Sequence, residues 1–394
     1  MQRLIWTSAL AAALAAGAAV SAQQQEVEQP GRIPGWSFTP SVTIGTLFDS
    51  NISLTSPPFA GTTEGDTLFA VQPGGELGFF SRRTEFSAAY QGYLRRYVDV
   101  DALNGFDQRA TLSLRRAATK RVSLFVNNFY ADMPTTDETE LNGVPFRRAG
   151  SRTNRLAAGL DARLTKFTTL STRYDMTWAT FDQTDEFLNN GTVHSAQAKL
   201  GRQLSERLAV AGDYAFRFAT LDDDTRRLTF HDTGGTVTWV AAPRTRLFGS
   251  AGMSTMFDEL PQERRTGPYY RLGVDHTAEY VSVGASFGRQ FLPSFGFGGS
   301  NETQELSGFV RAPLGRRLYT SGSVTWRHAI PLLESSIEAD TYFLRGSVGY
   351  LAARWARVEG FYAFTRYDPI DLGGDVSRHR VGVQIVLLQP VRIR

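Results

Sequence analysis

The chain has 394 residues, a formal net charge of +3 at pH 7 and no cysteine. These values exclude disulfide scaffolds, thiolate metal sites and cysteine nucleophiles, and so small a charge does not suggest a nucleic-acid binder. Aromatics reach 12% and glycines number 37, yet the mean hydropathy of -0.24 is too polar for a bundle of membrane-spanning helices.

The N-terminus reads as a secretory signal over residues 1–22. Arg3 supplies a positive start, Leu4 to Val20 form an alanine-rich apolar run, and Val20-Ser21-Ala22 suits cleavage after Ala22. The run is short for a membrane anchor, and Gln23-Gln24-Gln25 follow it in place of a basic stop-transfer cluster. After Ala22 no run of about 18 apolar residues recurs, so no spanning helix is expected. Residues 23–36, with Pro30, Gly31, Pro34 and Gly35, read as a flexible periplasmic lead-in. Residues 37–394 form the remaining domain.

In that domain the dominant period is two, the mark of strands with two unlike faces. In 155–164, Leu156, Ala158, Leu160, Ala162 and Leu164 share one face, and Arg155, Asp161 and Arg163 share the other. In 208–220, Leu208, Val210, Tyr214, Phe216 and Phe218 oppose Asp213 and Arg217. Near the end, Val381, Val383, Ile385 and Leu387 alternate in the same way. Marked in chain order, the strands fall near 37–48, 67–79, 84–97, 107–116, 121–131, 152–164, 168–181, 192–203, 207–221, 228–241, 245–257, 268–277, 280–291, 302–312, 317–329, 340–351, 354–367 and 377–388.

These eighteen segments are joined alternately by eight tight turns and nine longer loops. Strict short/long alternation is the topology of bacterial outer-membrane barrels, and an even strand number puts both termini in the periplasm. The segments exceed the ~5–6 residues usual in soluble sheets and fit the ~9–11 a tilted membrane strand needs. A sheet can cross lipid only if it closes, because every backbone N–H and C=O must find a partner. The expected fold is therefore an all-β, antiparallel up-and-down transmembrane barrel of about 18 strands in the outer membrane of a Gram-negative cell. A soluble sandwich or propeller is the alternative, but no blade motif recurs.

Charge follows the same alternation. Tight turns and their borders carry Arg82, Arg83, Lys120, Arg121, Lys166, Arg207, Arg244, Arg316, Arg317 and Arg354, whereas the long loops carry many acids, among them Asp222, Asp223 and Asp224. Acidic outer loops would gather the divalent cations that bridge lipopolysaccharide phosphates; the simpler alternative, that loops must be solvated, is preferred. Aromatics near strand ends, among them Phe79, Phe129, Phe181, Trp239, Phe257, Phe291, Tyr319, Tyr342 and Tyr367, are placed for interfacial girdles.

Taking the apolar face as lipid-facing leaves the other face to the lumen. That set holds Arg95, Arg109, Arg115, Arg155, Arg163, Arg173, Lys199, Arg217, Arg271, Arg311, Arg327, Arg345, Arg357 and Arg380. Its acids are Glu85, Asp161, Asp175, Asp213, Asp275, Glu305 and Glu359, half the number of the bases. Sixteen to eighteen strands leave an aqueous channel, and one sign of charge on low-dielectric walls enriches counter-ions. Arg109, Arg155, Arg173, Arg217, Arg327, Arg345, Arg357 and Arg380 are thus the candidate anion pathway. The alternative is a wall of Arg–Asp pairs that only stiffens the barrel.

Signs of catalysis are weak. The five histidines are scattered, and His231-Asp232 is the one His–acid neighbour pair, worth naming because some outer-membrane proteases use Asp and His at a barrel rim. Asp49-Ser50-Asn51 offers a serine without a nearby histidine. No enzyme activity, cofactor or metal site is expected.

The first strand, from Pro40 through Val42, Ile44 and Leu47 to Asp49, Asn51 and Ile52, resembles the opening of a broad group of β-barrel porins found in exopolysaccharide and capsule gene clusters. The resemblance implies passage of an anionic polymer such as an exopolysaccharide, with a periplasmic polysaccharide-export protein as partner. A general diffusion porin for small anionic solutes is the alternative, and a hydrolase at the barrel rim a remote one. Outer-membrane barrels usually end on an aromatic residue, whereas this chain ends Val391-Arg392-Ile393-Arg394 after Pro390. Either that signal is degenerate, or the last strand closes near Leu387-Leu388 and leaves a short tail.

Overall fold

The computed structural model describes residues 34–52, 54, 65–135, 148–182, 188–221, 226–259, 262–296, 299–332, 338–369 and 374–393. The expected signal segment, nearly all of the lead-in and the centres of several long loops, Asp222 to Asp224 among them, lie outside the described residues.

Eighteen strands follow one another. They are β1 (Gly35–Asp49), β2 (Asp66–Phe80), β3 (Thr84–Tyr97), β4 (Gly105–Ala117), β5 (Val122–Pro134), β6 (Gly150–Arg163), β7 (Thr168–Phe181), β8 (Gly191–Gln203) and β9 (Leu208–Leu221). Then come β10 (Arg226–Ala242), β11 (Thr245–Asp258), β12 (Glu263–Thr277), β13 (Ser282–Ser294), β14 (Gly299–Pro313), β15 (Leu318–Pro331), β16 (Ala339–Ala353), β17 (Ala356–Pro369) and β18 (Val376–Leu388). Each pairs antiparallel with the next, and β1 pairs with β18, so the sheet closes and leaves no edge.

The closing seam runs from Ser41 opposite Leu388 to Asp49 opposite Arg380. Beyond Leu388 the Gln389 N–H still donates to Pro40 O at 3.3 Å. Pro390 has no N–H to give, which interrupts the ladder without shifting it. A three-residue strand, β19 (Val391–Ile393), then rejoins β1 opposite Trp36–Phe38 in unchanged register. The regular strand does end where its apolar alternation stops, but the residues after it extend the seam rather than trail free. At the other end of the seam, Arg378 Nε donates to both Asp49 carboxylate oxygens at 2.9 Å and Nη2 adds a third bond. The side chains of the pair are only 3% and 2% exposed.

Period two resolves into two environments. The outer face presents Ile44, Leu124, Leu306, Leu344 and Val383 as exposed apolar side chains. Leu160 lies opposite Leu124 and shares that face. Leu208 shares it too but begins β9 beside a turn, outside the middle of the span. A closed sheet wearing an apolar belt is stable only where lipid covers the belt.

Aromatics divide between the faces. Trp36 packs outside against Phe79 and Phe86, with ring centroids 4.9 and 6.0 Å apart. Phe257, Trp239 and Tyr342 are exposed outward. Phe129, Phe181, Phe291, Tyr319 and Tyr367, expected in the girdles, are instead inside: Phe181 and Phe291 are 5% and 3% exposed within a buried cluster, and the other three share register rows with lumen residues. Two inner tyrosines lie flat across glycines. Tyr269 crosses Gly252 and Gly234 to donate to Asp213 at 2.9 Å, and Tyr319 crosses Gly349 to donate to Glu359 at 3.2 Å. Any Cβ at Gly349 would collide with the Tyr319 ring.

The eight short turns lie at one end, together with the start of β1, since Gly35 pairs with Phe80. Four share a local device. Ser81, Thr119, Thr165 and Ser205 each accept, on the side-chain oxygen, the N–H groups two and three residues ahead. That hydroxyl satisfies backbone donors that a two-strand turn leaves unpaired.

Candidate functional site: the barrel lumen

The register places all eight candidate arginines on the inner face. Arg109 lies opposite Gln91, Arg155 opposite Phe129, Arg173 opposite Gly159 and Arg217 opposite Ser195. Arg327 lies opposite Glu305, Arg345 opposite Ser323, Arg357 opposite Leu351 and Arg380 opposite Asp49.

They do not form one pathway. Three are held by carboxylates: Arg173 Nε donates to both oxygens of Asp175 at 2.8 Å, Arg217 Nη2 to Asp232 at 2.6 Å and Arg327 Nη2 to Glu305 at 2.9 Å. Arg217 also sits over the Phe230 ring at 5.0 Å. These three are ion-paired along the inner wall. Arg155 covers the Phe129 ring at 5.3 Å, and Arg357 neighbours Tyr319 and Glu359. Arg109, Arg345 and Arg380 come from β4, β16 and β18. Arg345 lies over the Phe361 ring at 5.2 Å and its charge meets those of Arg380 and Arg109, with Glu359 the acid in range. Arg109 Nη2 donates to Met133 Sδ at 3.4 Å. Like charges gathered on a low-dielectric wall attract an anion into the space they face.

Acids that the sequence reading does not assign to the lumen pair there with inward arginines. Asp49 binds Arg378, Asp107 binds Arg95 at 2.7 Å, Asp232 binds Arg217, and Asp258 binds Arg226 at 2.8 Å. Asp107 alternates with Arg109 and Asp232 with Gly234, so carrying the period to the strand ends finds them. Further along the wall, a cavity of about 190 Å³ is lined by Arg115, Asp161, Ser171, Arg173, Gln197 and Lys199, among others. Its acid is occupied: Arg115 donates to Asp161 at 3.2 Å and Ser171 at 2.8 Å.

At the long-loop end a hairpin folds inward. β12 and β13 pair only from Thr277 opposite Ser282 to Tyr270 opposite Arg289. Beyond Arg289, β13 leaves the wall, and the β13–β14 hairpin folds over the inner face of β7 to β11. Phe291 and Phe295 pack there with Phe181, Leu221, Leu228, Phe230 and Met256, all at most 5% exposed. Ser300 Oγ donates to Met256 Sδ at 2.7 Å. The hairpin tip reaches the β7–β8 loop, where Asn189 N–H donates to Gly296 O at 2.7 Å and Gly296 N–H returns to Asn189 O at 3.2 Å. On the β1–β3 side a smaller apolar cluster, Ile52, Leu68 and Tyr97, lines the same mouth, capped by Arg148 over the Tyr97 ring at 5.5 Å.

The rim-hydrolase residues are not brought together. His231 points outward, with Tyr214 Oη 2.8 Å from its Nδ1, while Asp232 points into the lumen. The same outward Tyr–His pair recurs as Tyr174–His194 at 2.7 Å and Tyr362–His379 at 2.8 Å. These pairs satisfy polar atoms on the lipid-facing wall. Ser50 Oγ accepts the backbone N–H of His379 at 2.8 Å, a structural bond across the seam.

A closed 18-stranded antiparallel barrel with an apolar belt and a polar interior is the architecture of a barrel of the Gram-negative outer membrane. No family model matches the chain, and no curated protein matches it by sequence. Solved structures do match in fold. Acinetobacter baumannii OccAB4 aligns with a TM-score of 0.50 at 10% identity, over 92% of this chain and all of that one. Pseudomonas aeruginosa OpdQ gives 0.47 at 10% identity, over 90% of this chain and 98% of that one. The P. aeruginosa outer membrane protein OpdK gives 0.46 at 10% identity, over 90% and 99%.

Proposed function

We propose that the chain is an outer-membrane channel for small anionic solutes, with its short turns and both ends of the sheet in the periplasm and its long loops outside. The observation that carries this reading is that Arg109, Arg345 and Arg380 all lie on the inner face, with Arg345 in electrostatic range of the other two as well as of Glu359. Arginine keeps its charge at any relevant pH, so the preference persists across neutral pH. Salt weakens it, because the Debye length falls from ~10 Å at 0.1 M to ~3 Å at 1 M. The test is the reversal potential across a planar bilayer under a KCl gradient. Anion preference at low salt, reduced when the three arginines are replaced by Gln, is the expected result; cation preference at low salt refutes the reading.

A second reading is export of an anionic polymer such as an exopolysaccharide, assisted by a periplasmic partner. The inward hairpin favours it, since a polymer-wide pore must be shut when idle, and so does the resemblance of the first strand. A barrel that stays non-conducting until the hairpin is removed supports this reading over the first.

A further inference from the structure

The short-turn rim carries a charge imbalance that the lumen does not use. Seven of the eight short turns hold an exposed arginine or lysine; the eighth, between β12 and β13, holds Glu279 and Tyr280. Among the described residues, the ion pairs involve none of these turn bases; the pairs lie along the strands or near the long loops. Apolar side chains stand among the bases. Leu164, Leu204 and Leu314 are 47%, 54% and 56% exposed at the turn roots, and Lys166 Nζ lies 5.2 Å from the Phe167 ring centroid. A soluble partner docks on one side of a barrel. Bases distributed around nearly the whole circumference, with apolar groups beside them, match something that surrounds it.

We propose that the short-turn rim is an annular binding surface for anionic phospholipid headgroups. The bases attract the headgroup phosphates while the leucines and aromatics insert beside the acyl chains. This rests on the orientation proposed above, which sets the short turns in the phospholipid leaflet rather than the lipopolysaccharide leaflet. The same rim would fix the depth of the barrel, because sliding either way separates bases from phosphates.

The test uses the folded barrel in phosphatidylcholine vesicles containing a trace of spin-labelled phosphatidylglycerol or spin-labelled phosphatidylcholine. Electron paramagnetic resonance reads the motionally restricted fraction of each. Restriction of phosphatidylglycerol should exceed that of phosphatidylcholine by at least about twofold at low salt and converge with it at ~1 M salt. Replacing Arg82, Arg83, Arg316 and Arg317 by Gln should lower the ratio, and replacing them by Lys should retain it. The turn hydroxyls and strand pairing are untouched in both variants. Equal restriction of the two lipids at low salt overturns the proposal. So does heparin capture by the detergent-solubilised barrel without a lipid preference, which would assign the rim to a soluble polyanion. Displacement of labelled lipid by millimolar inorganic phosphate at constant ionic strength would reduce the rim to a free-phosphate site and overturn it as well. The readout depends neither on conductance nor on ion selectivity, so it fails independently of the channel reading.

Discussion

Gly349→Ala tests whether inner-wall packing depends on the tyrosine that lies across this glycine. The three atoms nearest a Cβ at 349 all belong to Tyr319, its Cζ, Oη and Cε2, the last at 2.5 Å, so the collision is first with the ring. The ring must therefore lift, and the 3.2 Å bond from its hydroxyl to Glu359 is lost. Crowding a packed site costs ~1–3 kcal/mol, a hydrogen bond to a charged acceptor is worth ~1.5–3, and replacing a strand glycine by alanine returns ~0.5–1. The expected net loss is about 2–5 kcal/mol. Unfolding in urea from lipid vesicles measures it. In a Tyr319→Ala background the collision and the bond are both absent, so the same Gly349→Ala change should become neutral or slightly stabilising. Equal destabilisation in the two backgrounds would refute the argument, because the cost would then arise from the backbone and not from the ring.

Val383→Arg places a charge on the lipid face midway along β18, where Val383 is 52% exposed, and should cost ~2–4 kcal/mol in the same unfolding assay. Asp49→Asn leaves Arg378 buried without its carboxylate at the closing seam, and should cost ~3–5 kcal/mol, visible as a lower urea midpoint. Phe295→Ala removes a ring that holds the β13–β14 hairpin against the inner wall, and should raise single-channel conductance; unchanged conductance would mean that the hairpin does not limit flow.

The strands were legible because a membrane barrel has two solvents, lipid outside and water inside, and period-two alternation records both. The short/long alternation of connections then fixed their number. The largest error in a strand start was in β12, expected from 268 but beginning at Glu263. Arg264, Arg265 and Pro268 break the apolar alternation there, yet Thr255 and Thr266 hydroxyls still meet across the ladder at 3.2 Å. Sequence alone shows the hairpin after β13 as a plain loop, and Phe291 as a girdle aromatic, since Pro293 and Gly296 erase local periodicity and nothing in that stretch names a surface two to six strands away.

The partners of the lumen arginines were hidden for a different reason. Period two states that Arg217 faces inward, but not that Phe230 lies opposite it or that Asp232 is therefore within reach. That information resides in the register between strands, which turn length and packing set jointly and no single segment displays. Charge counted along the sequence treats every inward arginine alike, whereas selectivity is governed by those whose charge a neighbour does not cancel. Arg173, Arg217 and Arg327 are held by acids two residues or one strand away, and each such pair is nearly neutral at the distance of a passing ion. Arg345 has Arg380, Arg109 and Glu359 in electrostatic range. Under the channel reading proposed above, selectivity should respond to substitution at Arg109, Arg345 and Arg380 more than to the same substitution at Arg173, Arg217 and Arg327.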